Sequence, residues 1–112
     1  MISFKKIKAA TVQTSPVFLN VEKTIDKAIS FIKEAHENGA KLIAFPEVFI
    51  AGYPYWNWIM TPVQGSKWYE ELYKNSVAVT DASMQKLYKA ARFRYTYCYR
   101  NQRTWRKLWR NL

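Results

Sequence analysis

One cysteine and one histidine are the only thiol and imidazole in 112 residues. A lone Cys98 closes no internal disulfide, and Cys98 with His36 falls short of a zinc ligand set, so neither metal nor disulfide is expected to hold the fold. Glycine is nearly as scarce, with three residues in the whole chain, and no internal repeat or low-complexity linker is visible. Long hydrophobic runs are missing too: no apolar stretch approaches the ~20 residues of a membrane span. The start, "MISFKKIKAATVQ", lacks the unbroken apolar segment and small-residue cleavage site of a secretory signal. These absences point to a cytoplasmic chain with no membrane partner.

What is present excludes disorder. Apolar residues make up 49% and aromatic residues 17% of the chain, far above what a disordered segment carries. The length suits one small domain. The net charge of +10 first suggests nucleic acid or another anionic surface, but its distribution argues against a binding face. Residues 1–92 hold twelve Lys or Arg against all eight acids, whereas residues 93–112 hold six basic residues and no acid. A compositional boundary therefore falls near Arg92, dividing the chain into 1–92 and a basic, aromatic tail, 93–112.

Within the first part, Ile7 to Gln13 reads as a short strand ended by Ser15 and Pro16. Asn20 then precedes a stretch in which Val21, Ile25, Ala28, Ile32 and Ala35 recur at steps of four and three, the apolar face of an amphipathic helix. Asn20 is its expected N-cap, and Asn38 with Gly39 its stop. His36, near the end of that helix, is expected at the surface beside the negative terminus. "KLIAF" follows, apolar throughout, as strands buried on both faces of a parallel sheet are. Strand, helix, Gly turn and strand make a βαβ unit with parallel strands. Downstream, "GYPYWNWIMTPVQG" reads as a loop, Ser66 to Asn75 as a short helix, and Asp81 as the cap of a last helix with Met84, Leu87, Tyr88 and Ala91 on one face.

Glu47 sits where the second strand stops at Pro46, with apolar residues on both sides. On residue type alone it is a solvated loop carboxylate. In open parallel sheets, however, ligands gather at the carboxyl ends of the strands, which is where Glu47 stands. Apolar neighbours such as Pro46, Val48 and Phe49 would favour a carboxylate as proton acceptor.

The segments "KIKAATVQTSPVFLNVEKTIDKA", "ENGAKLIAFPEVFIAGYPYW" and "LYKNSV" resemble the N-terminal part of the nitrilases, in the carbon-nitrogen hydrolase superfamily, over about residues 5–91. The resemblance implies an α/β fold, the N-terminal βαβ part of an αββα sandwich, incomplete here. It implies a Glu-Lys-Cys site in which Glu47 matches the general base, with a small-molecule nitrile as substrate, no cofactor, and subunits that assemble as oligomers or with an intact nitrilase chain. A thiol is only slightly ionised near neutral pH, so such a site needs a base within reach. Tyr53, Tyr55, Trp56 and Trp58 resemble residues that shape the substrate pocket; hydrophobic packing is as good a reading for each alone.

The matching Lys and Cys do not occur within these residues. Cys98, in "RYTYCYRNQ", lacks the aromatic and acidic residues expected after the nucleophile. No further strand is expected after residue 92, so open edges and an uncovered apolar face should favour aggregation. The tail itself has three readings: a nucleic-acid-binding segment of a small basic protein, an amphipathic membrane-surface helix, or a shifted reading frame. Permissible codons for "YRNQRTWRK", read one base later, give Ile-Gly-Ile-Arg-Glu-Arg-Gly-Gly, which resembles the family's next strand and turn. The frameshift accounts for the boundary near Arg92 and the missing acids together, and is the reading preferred.

Overall fold

A computed structural model of the protein describes residues 5–92 and, for the backbone alone, Thr96–Cys98. The first strand, β1, is Ala9–Thr11, and the first helix, α1, is Val21–Glu37. The Asn20 side chain accepts the Lys23 N–H at 3.0 Å, so the expected N-cap forms. At the other end Gly39 has φ +79°, the left-handed turn that lets the chain leave the helix and enter β2, Leu42–Ala44. β1 and β2 pair in parallel, with Ala10 beside Ile43.

Two findings depart from the sequence expectation after β2. The stretch taken as a loop contains a 3₁₀ turn at Tyr55–Trp58 and the first turn of helix α2, Pro62–Lys74. Thr61 and Gln64 form a reciprocal capping box and Pro62 occupies the first helical position, so the Pro read as a loop signal is a helix start. After helix α3, Ala82–Arg92, a third strand, β3, does follow: Thr96–Cys98 lies parallel to β2 with Tyr97 beside Ile43. Its β-branched and aromatic residues suit a strand, a signal masked by the basic charge around it. The sheet order is β1-β2-β3. The three proposed roles of the 93–112 tail lie otherwise outside the described residues.

The core is the seam between α1, α3 and one face of the sheet. Ile25, Ala28 and Ile32 of α1, Met84 and Leu87 of α3, Ile43 of β2, and Phe49 and Ile50 form one buried cluster. The α1 stripe read from the sequence is buried at all five positions. On the other face of the sheet Ala9 and Thr11 are exposed and Leu42 and Ala44 half-buried. The double-sided burial expected of "KLIAF" is therefore corrected: among the described residues helices cover one face only. A parallel sheet ordinarily has both covered.

At the rim of the α1–α3 seam the Glu22 carboxylate takes hydrogen bonds from Ser83 and from Lys86, the latter at 3.0 Å. Ser83 first, and then Lys86, hold the Glu22 carboxyl below its ordinary range. Its stabilising contribution is present above the unfolded-state value and is lost as pH falls through the folded one. Lys86, raised by Glu22, loses its contribution only as pH rises through its own folded value. Both groups are exposed, so the pair is a weak tie.

Candidate functional site

The carboxyl end of the sheet is built from two loops. The first joins β1 to α1 and is pinned by Thr24, a fully buried hydroxyl on α1. Its Oγ1 accepts the Val17 N–H at 3.0 Å and lies 2.8 Å from the Asn20 carbonyl, to which it donates. Those bonds hold the loop close to the helix, and nothing in the apolar periodicity of α1 singles Thr24 out.

The second loop carries Glu47. Pro46 and Glu47 are exposed at the end of β2, whereas Phe49 and Ile50 are buried to 1% and 2% exposure. The Phe49 ring packs 5.5 Å from Phe45, centroid to centroid. The chain turns between Glu47 and Phe49 at Val48, whose φ is +55°, and the Gly52 N–H closes the turn on the Val48 carbonyl at 2.9 Å. A left-handed conformation costs an L-residue on the order of 1–2 kcal/mol, and a β-branched residue there is an outlier of the kind found at functional sites. Glu47 thus stands on a strained, anchored turn facing solvent. The apolar enclosure expected from Pro46, Val48 and Phe49 is corrected: Phe49 is drawn into the core below, and Pro46 lies at the surface with Glu47.

The aromatic residues that follow divide into two groups. Tyr53 and Tyr55 are exposed and lie together, ring centroids 5.2 Å apart. Trp56 instead is buried, set edge-on against Tyr69 at 5.3 Å and packed near Phe18 and Trp68. Trp58 is 78% exposed. The four aromatics therefore do not lie together as one group; Tyr53 and Tyr55 form an exposed pair, and Trp56 belongs to a separate buried cluster. Between Glu47 and Lys67 no residue is charged, so Glu47 is the one ionisable carboxylate of this stretch.

α2 is held to this loop through Gly65. A Cβ placed there would lie 2.9 Å from the Trp56 Cδ1 atom. Gly65→Ala is expected to cost about 1–3 kcal/mol through overpacking. Reduced near-ultraviolet circular dichroism from the Trp56 cluster, with unchanged far-ultraviolet signal, is the expected readout.

His36 is exposed in the last turn of α1, as its position in the sequence suggests. The backbone of Cys98 pairs with Ala44, at the end of β3, and its side chain lies outside the described residues. Among the described residues no cluster of His, Cys, Asp and Glu could hold a metal, and no helix is long and apolar enough to cross a membrane.

Comparison with known proteins decides the family. The sequence pattern of the Carbon-nitrogen hydrolase family matches residues 8–97, which includes β1, α1, β2 and the Glu47 turn. The chain belongs to the carbon-nitrogen hydrolase family. It is 46% identical over 98 residues to a nitrilase of Bacillus sp. (strain OxB-1), a match covering 88% of this chain and 29% of that protein. An aliphatic nitrilase of Rhodococcus rhodochrous is 50% identical over 88 residues, covering 78% of this chain and 23% of the relative. A cyanide hydratase of Stereum hirsutum is 43% identical over 90 residues, covering 80% and 24%. This carbon-nitrogen hydrolase chain thus spans about a quarter of the length of the curated relatives it matches. The family match runs to residue 97, five residues past the compositional boundary at Arg92 and level with β3.

Proposed function

We propose that this chain is the base-bearing N-terminal part of a nitrilase-type enzyme, and that by itself it hydrolyses no nitrile. The observation that supports it best is Glu47: a solvent-facing carboxylate on a strained turn at the carboxyl end of a parallel strand, inside the segment that matches the family. The relatives named nitrilase and cyanide hydratase favour a carbon–nitrogen triple bond as the group attacked.

In the complete site Glu47 takes the proton of a cysteine thiol, and the thiolate sulfur bonds to the nitrile carbon. The displaced electron pair on nitrogen receives a proton, giving a thioimidate. Addition of water and loss of ammonia leave an acyl-enzyme, and a second water releases the carboxylic acid and returns the thiol. A lysine ammonium steadies the charge that develops on the way. By motif, neither that lysine nor that cysteine is matched within residues 1–112, and a base activates nothing without its thiol. Tyr53, with its ring against Tyr55, is the substrate-facing aromatic in this reading. The protein would act in the cytoplasm without a cofactor, as a homo-oligomer or beside an intact nitrilase subunit.

The segment after Arg92 is best accounted for by a change of reading frame between Arg92 and Tyr99. The nucleotide sequence there tests this. Restoring the frame should recover a lysine and a Cys-Trp-Glu segment downstream; three frames without them would refute the frameshift.

A further inference from the structure

We propose that residues 53–75 form a flap that opens from the body of the protein as one unit and is latched shut by the Phe18 ring. The 3₁₀ turn and α2 lie in this segment, between two anchors: Ile50 is a core residue before it, and Val77 packs on the same core after it. Among the described residues, none from 53 to 75 belongs to that core or packs against it. Trp56, the one large side chain buried in the segment, lies in the separate aromatic cluster with Trp68 and Tyr69.

Polar contacts draw the same boundary. Thr61 and Gln64 cap each other, the Tyr69 hydroxyl donates to the Asn57 side chain, and Lys74 pairs with Glu70 and Glu71. The backbone bonds of the 3₁₀ turn and of both ends of α2 also close inside residues 53–76. Among the described residues, no hydrogen bond or ion pair ties this segment to the sheet, α1 or α3. What ties it is Phe18, on the loop that Thr24 pins to α1 through Val17. Its ring centroid lies 6.4 Å from that of Trp56 and 6.2 Å from that of Trp68. Phe18 is 55% exposed, so this is a rim contact, and ring pairs of that kind add less than a buried core side chain. A segment that keeps its own hydrogen bonds and has few contacts outside itself opens without unfolding the rest. Gly52, at φ +88° just ahead of it, is the residue type that absorbs a backbone change at the near end. Opening carries the Tyr53–Tyr55 pair with the segment and so moves these rings relative to the Glu47 turn.

Amide hydrogen exchange read by mass spectrometry on the full chain tests this without requiring turnover. In the wild type, amides of α2 and the 3₁₀ turn are expected to exchange together, faster than those of residues 25–32 in α1 and with a weaker dependence on urea. Phe18→Ala should speed exchange in 53–75 roughly tenfold, the effect of losing two aromatic pairs, and leave α1 and α3 unchanged. Phe18→Tyr, which keeps the ring, should hold the wild-type rate. Wild-type α2 amides that exchange as slowly as those of α1, with the same urea dependence, would overturn the proposal, because the segment and the body would then open only as one. So would a Phe18→Ala chain whose exchange in 53–75 is unchanged, or one that accelerates equally throughout. The readout involves neither Glu47 nor hydrolysis, so the flap stands or falls apart from the proton-accepting role.

Discussion

Phe49→Ala is expected to destabilise the protein by about 3–5 kcal/mol, the usual cost of emptying a buried aromatic site. Phe49 is 1% exposed, belongs to the cluster joining α1, β2 and α3, and packs on Phe45. Its loss removes apolar area and leaves a cavity beneath the Glu47 turn, and both terms add to the cost. Against a total of about 5–15 kcal/mol for an ordinary domain, this is a large fraction. Urea denaturation followed by tryptophan fluorescence should show the midpoint fall sharply with little change in slope. A midpoint unchanged from wild type would mean that Phe49 is not in the core.

Leu87→Ala, at the α1–α3 seam, is expected to cost about 2–5 kcal/mol. Leu87 has no exposed surface and belongs with Ile25, Ala28, Ile32 and Met84 to the one cluster that α1 and α3 share. The polar contacts at that rim, Glu22 with Ser83 and Lys86, are exposed and offer little in exchange. Since β3 follows α3 directly in the chain, loosening this seam should also release β3. Amide hydrogen exchange at β3 and α3 should therefore accelerate together in Leu87→Ala, while the first turn of α1, capped by Asn20, is protected longer. Exchange that changes in α3 alone would separate the two.

The same seam shows how much the sequence discloses. Apolar steps of three and four in α1 identify its buried face because a helix has one period and one side to bury; Val21, Ile25, Ala28, Ile32 and Ala35 are all buried. Asn20 and Gly39 were legible because each residue type has a specific conformational reason to stand at a helix end. Thr24 was not, since a hydroxyl inside an apolar stripe gains its meaning only from Val17 and Asn20 lying opposite. Pro62 and Gly65 misled for a related cause: both usually break structure, yet one starts α2 and the other makes room for Trp56. β3 was hidden by composition, because six basic residues describe a segment's charge and not its pairing.

For the candidate site, the placement of Glu47 at a strand end could be read from "FPEVF", but its surroundings could not. Proximity in sequence to Val48 and Phe49 suggested an apolar enclosure; Phe49 goes into the core and Glu47 stays at the surface. Among the described residues, Trp58, Ile59 and Val63, the last 84% exposed, are apolar side chains at the surface. Apolar area of this kind invites association.

The central proposal is that residues 1–112 carry the base of a carbon-nitrogen hydrolase site, Glu47, and do not hydrolyse nitriles by themselves. Ammonia release by the purified full-length chain, with aliphatic nitriles, aromatic nitriles and cyanide in turn, tests it most directly. The account predicts no release above buffer and no difference between wild type and Glu47→Gln; nitrile turnover by the wild type that Glu47→Gln abolishes would contradict it.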